Sequence, residues 1–328
     1  MNTIKIATNE SKERGWKNFN FNSFQFGVTP TDHLFFAEFK NGKWHNPRIE
    51  PFHSLTINPF ALCFHYGQTV FEGMKAFRQD NGKVHIFRPK KHHQRFNRSL
   101  ERMCMPEIEE ELFFSALEKL IQLDQHWIPK EEGVSLYIRP FVIATEPRLG
   151  VKISDEYLFC ITCTPMGLYY PKPIRVKIET EYVRAAEGGA GYAKCGGNYG
   201  AAFFATKKAN EQGFDQVIWT DAKTHKFIEE SGTMNVMLFM NNTLITPTIN
   251  SSILDGVTRD SIIQIAKDLG ISVEERPIGW EELKEQLKSD NRVELFGVGT
   301  AAVISPINSV QIQEVDYFPY NKNDAVMY

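Results

Sequence analysis

One lysine stands out among the residues whose type and setting could carry chemistry. Lys194 lies within AGYAKCGGNYG, where small residues flank it on both sides and few acidic neighbours keep its amine solvated. A lysine amine that is removed from water loses its proton more readily and becomes a nucleophile able to form a Schiff base. This local pattern fits an exposed loop lysine equally well, so the interpretation needs support from other segments.

Three downstream segments offer the groups that such an amine would need. The segment FIEESGTMNVMLF places Glu230 where a strand meets a turn, and Asn235 at the start of the next strand. The segment DGVTRDSII supplies backbone amides and Thr258 at a helix N-terminus, which suits an anion, and GVGTAAV adds a second small-residue turn with Thr300. An amine, a lone carboxylate and two anion-binding turns are what an enzyme that uses pyridoxal 5′-phosphate requires.

Common nucleotide-binding and hydrolase motifs are absent from the sequence. The stretch EGGAGYAKCGGNYG has Lys194 where the third glycine of a dinucleotide-binding loop belongs. Neither Gly42-Lys43 nor Gly82-Lys83 is followed by the Ser or Thr of a P-loop, and HExxH and GxSxG do not occur.

Two short motifs are better explained by packing and solvation. Cys160 and Cys163 form a CxxC, but they lie in an apolar strand, where residues three apart point to opposite faces. We therefore expect two core cysteines and no metal site. The His92-His93 pair lies at a lysine-rich helix start, where we expect a solvated face.

Composition argues against several classes of protein. Lys and Arg number 37 against 40 Asp and Glu, a net charge of −3 without a basic block, so nucleic acid is not an expected partner. No apolar run approaches the roughly 20 residues of a membrane helix, and the first residues show no signal-peptide pattern. The length of 328 residues exceeds what one hydrophobic core usually serves, so we expect two domains. Because there are only 5 cysteines, we expect a cytoplasmic protein without a disulfide framework.

Helices and strands alternate through both halves of the sequence. Apolar spacing predicts helices at residues 89–104, 110–127, 198–212, 258–270 and 280–288. It predicts strands at 134–144, 157–163, 174–180, 216–219 and 236–240, and a strand-turn-strand at 295–305. The proline-rich run TPMGLYYPKP marks an interdomain connection. We predict an α+β or α/β protein with a small N-terminal domain at residues 1–165, an interdomain loop at 166–175 and a large cofactor-binding domain at 176–328.

Seven motifs in order carry a resemblance to a known family. They are HYGQTVFEGMKAF, FRPKKHHQRFNRS, LYIRP, AKCGGNYG, EESGTMNV, DGVTRDSI and FGVGTAAV. From about residue 26 to about residue 310 the chain resembles the branched-chain amino acid aminotransferases, which have the two-domain fold-type IV (D-amino acid aminotransferase-like) fold of pyridoxal-phosphate enzymes. The resemblance implies a homodimer in amino-acid biosynthesis. It also implies a ping-pong transamination of Leu, Ile or Val with 2-oxoglutarate that gives branched-chain 2-oxo acids and L-glutamate.

The resemblance also assigns roles around the cofactor ring. It implies that Lys194 carries the internal aldimine and moves a proton between the substrate α-carbon and the cofactor. Glu230 would pair with the pyridine nitrogen, which favours the protonated ring. Tyr199, five residues after the lysine, would hydrogen-bond the phenolate oxygen.

The same resemblance assigns the phosphate and the substrate. Arg95 would bind the phosphate together with the amides at Val257 and Thr258 and the Thr300 hydroxyl; a guanidinium suits that task by its fork geometry. Arg139 would bind the γ-carboxylate of glutamate beside an aromatic wall, and backbone amides would bind the α-carboxylate. The substrate-binding residues implied are Phe26, Tyr66, Phe71, Tyr137, Arg139, Thr233, Thr300 and Ala301.

Two departures from the family pattern and three rival functions stay open. Some eukaryotic members carry a CxxC redox switch after the GTA turn, where this chain has Ala302 and Ser305, so we expect no such switch. Members usually close with a helix, whereas this sequence closes with QIQEVDYFPYNKNDAVMY, so either the tail is shortened or the sequence is incomplete.

The rival functions are a D-amino acid transaminase, an aminodeoxychorismate lyase and a pyridoxal-phosphate-binding protein without catalysis.

Overall fold

The chain divides into two units, which we call the N-terminal unit and the C-terminal unit. A computed structural model describes residues 3–7, 15–21, 23–128, 133–289 and 292–319. The N-terminal unit holds the described residues up to Tyr169 together with Ala193–Gly196. The C-terminal unit holds Tyr170–Tyr192 and the described residues from Gly197 onward. The second half of the closing segment QIQEVDYFPYNKNDAVMY, residues 320–328, lies outside the described residues.

The N-terminal unit is built on a largely antiparallel sheet. Its strands are β1 (Lys5–Ile6), β2 (His33–Lys40), β3 (Lys43–Pro51), β4 (Thr69–Phe71), β5 (Met74–Arg78), β6 (Val84–Ile86), β7 (Ser135–Ala144) and β8 (Tyr157–Met166). Its helices are α1 (Leu62–Tyr66), α2 (Pro89–Arg102) and α3 (Glu110–Asp124), the last followed by a 3₁₀ turn at Gln125–Trp127. In the described residues the strand order is β1-β3-β2-β8-β7-β5-β6, and β4 pairs with β7.

The core of this unit lies where the two long helices meet the sheet. Pro89 occupies the first position of α2, where a backbone donor is not needed. Phe96 of α2 and Phe113 of α3 are both fully buried and lie against the ring of Phe159 on β8. Cys160 and Cys163 are buried in the same strand, and burial raises the pKa of the Cys160 thiol to about 12. The expected core role of the CxxC is confirmed.

The expectation of a solvated His92-His93 pair is wrong. The two residues are only 1% and 9% exposed. His93 Nε2 lies 2.8 Å from the carbonyl oxygen of Ile108, and His92 Nδ1 lies 3.2 Å from Glu72 Oε1. Buried polar groups need such partners, and both partners come from distant parts of the sequence that local composition does not reveal.

The C-terminal unit is built on a second sheet. Its strands are β9 (Ile174–Glu179), β10 (Gln216–Thr220), β11 (Ile228–Ser231), β12 (Met234–Met240), β13 (Thr243–Thr246), β14 (Ser272–Glu275), β15 (Val293–Gly299), β16 (Val303–Ile312) and β17 (Val315–Tyr317). Its helices are α4 (Gly196–Glu211), whose first residue belongs to the N-terminal unit, α5 (Val257–Asp268) and α6 (Trp280–Lys288). The helices and strands predicted from apolar spacing are confirmed with shifts of up to three residues at their ends, except that the last strand, β16, continues seven residues beyond the predicted end.

Six strands of this sheet close into a ring. The strand order is β11-β10-β9-β16-β15-β12-β13-β14 in the described residues, and β11 pairs with β12 as well as with β10. Strand β12 is buried at every position, because Val236 and Leu238 point into one core cluster while Met237 and Phe239 pack against α5 on the other face.

In the described part of the chain no helix is both long and apolar enough to cross a membrane.

Candidate active site

Backbone contacts hold the segment that carries Lys194 against the N-terminal unit. The backbone N–H of Lys194 donates to Ser99 Oγ at 3.0 Å, and its carbonyl oxygen accepts the N–H of Phe71 at 3.0 Å. Cys195 forms an isolated β-bridge with Val70. The next residue is a glycine, and a Cβ there would lie 2.5 Å from the hydroxyl oxygen of Thr69. The lysine backbone is therefore fixed between β4 and α2.

The side chain of Lys194 joins a cluster of aromatic rings and a second cation. Its Nζ lies 4.6 Å from the ring centroid of Phe71, and the guanidinium carbon of Arg139 lies 4.7 Å from the same centroid. Tyr137 and Arg139 face one side of β7, as predicted, and Arg139 Nη2 donates to the Tyr137 hydroxyl at 3.1 Å. Phe26 makes an edge contact with Tyr137 at 5.1 Å between centroids. Five residues that the sequence assigned to the site thus lie together.

Arg139 has donor capacity left inside this cluster. Its Nε is buried and has no hydrogen-bond partner within the described residues. A buried donor without a partner is costly unless a ligand accepts from it. An arginine among aromatic rings can bind a carboxylate with a charge-assisted hydrogen bond. Arg139 is therefore suited to an acidic substrate group.

Arg95 lies in α2 next to this cluster and is paired with a buried glutamate. Glu72 immediately follows Phe71, and its two carboxylate oxygens accept from Arg95 Nε at 2.8 Å and from Arg95 Nη2 at 2.5 Å. Burial by itself would raise the pKa of Glu72, but the Arg95 guanidinium and His92 outweigh burial and hold that pKa well below its usual range. Burial lowers the pKa of His92, which favours the neutral form of this imidazole.

In the C-terminal unit, Glu230 is a buried and firmly held carboxylate. It is 3% exposed. Its Oε1 accepts the backbone N–H of Leu254 at 2.8 Å and lies 3.4 Å from Asn235 Nδ2, while Arg184 Nε lies 3.1 Å from its Oε2. These partners stabilise the charged carboxylate and fix its direction. Such a group can accept a hydrogen bond from a protonated ring nitrogen.

Two turns and a helix start lie at one end of the ring of strands. Glu230 pairs with Asn235 between β11 and β12, and Asn235 pairs with Val298 between β12 and β15. The turn with Thr233 joins β11 to β12, and the turn with Thr300 and Ala301 follows β15, so the pairing brings both turns to the same end.

The N-terminus of α5 lies at the same place. Gly256 is the N-cap residue of α5, and a Cβ on this glycine would lie only 1.9 Å from Asn235 Oδ1. Val257 and Thr258 are the first two residues of α5, and no side chain of the described residues caps the helix. Backbone amides and the helix dipole at such a start attract an anion.

Two more of the assigned residues lie on helices. Tyr199 lies in the first turn of α4, and it is half-buried. Tyr66 is 42% exposed at the end of α1, where its hydroxyl donates to the carbonyl oxygen of Leu149.

The sequence analysis missed three residues that hold the assigned ones in place. Glu72 pairs with Arg95, Arg184 with Glu230, and Ser99 with the backbone of Lys194. An acidic residue inside the apolar run VFEGM was a signal for a buried partner of Glu72. For Arg184 and Ser99 the local sequence offers no comparable signal.

Comparisons with known proteins agree with this geometry. The family model described as amino-transferase class IV matches residues 69–310. Branched-chain-amino-acid transaminase 1 of Bacillus subtilis (strain 168) is 49% identical over 295 residues, which cover 88% of this chain and 83% of that protein.

Solved structures share the fold. The branched-chain amino acid aminotransferase from Escherichia coli is 27% identical, with a TM-score of 0.68 and 85% of each chain covered. The T.th. branched-chain amino acid aminotransferase complexed with N-(5′-phosphopyridoxyl)-L-glutamate is 25% identical, with a TM-score of 0.68, covering 86% of this chain and 89% of that one. The family match and the identity to the Bacillus protein show that this chain belongs to the class IV aminotransferases, among the branched-chain-amino-acid aminotransferases.

Proposed function

We propose that this chain transfers the amino group of L-leucine, L-isoleucine or L-valine to 2-oxoglutarate, with pyridoxal 5′-phosphate as its cofactor. The products are branched-chain 2-oxo acids and L-glutamate, formed by a ping-pong mechanism. The observation that carries the proposal is the cluster around Lys194, in which its amine lies beside the same aromatic ring as the Arg139 guanidinium. The solved T.th. relative holds a phosphopyridoxyl-glutamate compound, which supports both the cofactor and the acidic substrate.

The residues present fit pyridoxal 5′-phosphate. A buried carboxylate with three partners, Glu230, suits a pyridinium nitrogen. The start of α5 suits a phosphate, because Gly256 leaves no side chain there. When bound, the cofactor supplies an electron sink for the pair of electrons left on the substrate α-carbon after proton loss.

Each assigned residue has a distinct task in this proposal. Lys194 Nζ takes the proton from the substrate α-carbon and later returns a proton, while its fixed backbone keeps the amine in place. Glu230 holds the proton on the pyridine nitrogen, and Tyr199 hydrogen-bonds the phenolate oxygen. The phosphate is bound by Arg95, by the amides of Val257 and Thr258 and by the Thr300 hydroxyl.

The pocket must accept both an apolar and an acidic side chain. Aromatic walls suit leucine, isoleucine and valine, and the Arg139 guanidinium suits the γ-carboxylate of glutamate. The turns with Thr233, Thr300 and Ala301 would bind the α-carboxylate that all these substrates share. The aromatic walls are assigned to Phe26, Tyr66, Phe71 and Tyr137.

Three finer features complete the proposal. We infer a homodimer and a role in branched-chain amino acid biosynthesis from the family. We infer a cytoplasmic location from the five cysteines, all of which are free thiols. A D-amino acid transaminase, an aminodeoxychorismate lyase and a non-catalytic binding protein are not favoured, because the curated relatives are branched-chain aminotransferases.

A single-turnover panel of amino donors tests the function. The holoenzyme is mixed with L-Leu, L-Ile, L-Val, D-Ala or L-Phe, and conversion of the cofactor to its amine form is followed by absorbance. We expect rapid conversion by the three branched-chain L-amino acids. Conversion by D-Ala alone would favour the D-amino acid transaminase. Lys194→Ala should abolish both the visible absorption band of the bound cofactor and turnover, and an unchanged band would overturn the role of Lys194.

A further inference from the structure

Glu72 is a buried charge that the proposed reaction leaves without a task. The residue is 0% exposed. Its Oε1 accepts from the backbone N–H of Gly73 at 2.7 Å and from Arg95 Nη2, and it lies 3.2 Å from His92 Nδ1; its Oε2 accepts from Arg95 Nε. Both oxygens of this carboxylate are thus engaged by donors from the turn after β4 and from α2.

The pairing geometry defines the direction of the Arg95 guanidinium. Glu72 engages Nε and Nη2, which form the side edge of the planar group, at 2.8 and 2.5 Å. Two parallel hydrogen bonds fix a guanidinium in a plane, whereas a single one leaves it able to swing. These two bonds therefore fix the plane and the direction of the Arg95 guanidinium.

Stability alone is a weak reason for this pair. Removing two charges from water costs several kcal/mol per ion, and a buried pair often contributes no more to stability than well-packed apolar residues would. The same elements hold Lys194: its backbone bonds to Ser99 of α2 and Phe71 of β4, the neighbour of Glu72 in the chain. Ser99 in turn donates to the carbonyl oxygen of Arg95 at 2.9 Å. The pair therefore orients an arginine relative to the lysine backbone.

We propose that Glu72 is a positioning residue, which holds the Arg95 guanidinium in the orientation that binds the cofactor phosphate. This inference rests on the proposed function, in which Arg95 binds that phosphate. It predicts that neutralising Glu72 changes the affinity for the phosphate in the direction opposite to the one expected from charge alone. If charge alone mattered, neutralising Glu72 would leave Arg95 more attractive to a phosphate, whereas loss of orientation weakens the binding.

The test compares cofactor binding with and without the phosphate. The test uses the apoproteins of the wild type and of three variants, Glu72→Gln, Arg95→Gln and Glu38→Gln. Each apoprotein is titrated with pyridoxal 5′-phosphate and, separately, with pyridoxal. We expect Glu72→Gln to weaken binding of pyridoxal 5′-phosphate by about 10-fold or more, the usual size of losing a residue that orients a ligand-binding group, and to leave pyridoxal binding unchanged. Glu38→Gln is the matched control, because Glu38 pairs with Arg48 in the same unit at 2.8 Å but outside the proposed site. It should change neither constant.

The outcomes separate this inference from the proposed function. If Arg95→Gln lowers the preference for the phosphorylated compound and Glu72→Gln does not, Glu72 is only a structural ion pair and the inference is overturned while the function stands. If Arg95→Gln also leaves the preference unchanged, the phosphate assignment fails and the inference fails with it. Thermal melting of each apoprotein shows whether it folds. Should Glu72→Gln not fold, Glu72→Asp keeps the charge but shortens the reach, and it should lower the same preference by a smaller factor.

Discussion

The side chains around Lys194 combine two positive charges with aromatic walls. Lysine and arginine both lie over the ring of Phe71, at 4.6 and 4.7 Å. Cations over an aromatic face gain electrostatic energy, and two neighbouring cations attract an anionic group. The same rings can bury an aliphatic side chain. One small cluster can therefore serve both substrate types.

The two substrate types should respond differently to the loss of Arg139. Arg139→Met removes the charge-assisted hydrogen bonds to the γ-carboxylate but keeps an apolar wall for leucine. We expect the glutamate half-reaction to slow by about 10- to 100-fold more than the leucine half-reaction, as befits a lost bond of about 1.5–3 kcal/mol. Single-turnover rates with each donor measure the difference.

An arginine in a similar setting provides the control for that variant. Arg48 stacks on Phe36 at 3.7 Å, outside the proposed site. Arg48→Met should leave the ratio of the two half-reaction rates unchanged. An equal loss of both half-reactions in Arg139→Met would contradict a selective role for Arg139.

At the level of elements, the start of α5 depends on a glycine. The φ of Gly256 is −73°, which any residue can adopt, so the requirement is space and not backbone strain. A Cβ there would collide with Asn235 Oδ1, and Asn235 donates to the carbonyl oxygen of Leu254 at 2.8 Å beside Glu230. This close approach couples the helix start to the carboxylate.

Gly256→Ala should therefore disturb both stability and cofactor binding. We expect a loss of about 1–3 kcal/mol in the free energy of unfolding, which is typical of overpacking. Binding of pyridoxal 5′-phosphate should weaken about 10-fold as Asn235 moves. Denaturant unfolding and cofactor titration measure the two effects.

A second N-cap glycine offers a control for this variant. Gly279 precedes α6 with φ −74°, and the nearest atom to an added Cβ is 3.9 Å away. Gly279→Ala should leave cofactor binding unchanged. Normal cofactor affinity in Gly256→Ala would show that the crowding at Asn235 has no bearing on the site.

Strand β5 carries a buried lysine, Lys75, whose titration should change the free energy of unfolding. Burial lowers the pKa of Lys75 from 10.5 to about 8. Between these two values the unfolded chain binds more protons than the folded one, so the free energy of unfolding rises with pH in that window. The rise due to this residue is on the order of 3 kcal/mol.

Comparison of Lys75→Met with the wild type isolates this contribution. The wild type should gain stability relative to the variant between pH 8 and pH 10.5, as measured by urea unfolding at several pH values. Lys83→Met, at an exposed lysine just before β6, serves as the control and should follow the wild type. A constant difference between wild type and Lys75→Met across the window would show that Lys75 titrates normally.

At the level of the whole molecule, the assigned residues are divided between the two units. Lys194, Arg95 and Arg139 belong to the N-terminal unit, whereas Glu230 and Thr258 belong to the C-terminal unit. Neither unit by itself holds the complete set of assigned residues.

The whole molecule should also form a dimer. Large apolar side chains are exposed on two segments of the N-terminal unit that are joined by the bridge between Ala61 and Pro147: Phe60, Phe64, Leu149, Val151 and Ile153. Exposed apolar groups of this kind favour association, because burying them removes apolar surface from water. Sedimentation equilibrium should give twice the mass of the chain, and a mass of one chain at micromolar concentration would contradict the homodimer.

Much of the fold follows from local patterns. Apolar spacing located α3, α6 and β7 within a few residues, because period and capping are local properties. The same reasoning failed at His92 and His93, whose burial depends on Ile108 and Glu72. Local composition predicts that two histidines in a lysine-rich segment are solvated, because it carries no information about their distant partners.

The sequence alone pointed to the residues that we propose for the chemistry: a lysine among small residues, the carboxylate of Glu230, and a helix start with a glycine before it. It also determined the family, since seven motifs in order are specific where each one is weak. Only the tertiary structure decided how these residues are held. It placed Lys194 against β4 and α2, paired Arg95 with Glu72, and put Arg184 beside Glu230. The physical reason is that buried charges must be satisfied by partners, and chain folding, not sequence proximity, chooses those partners.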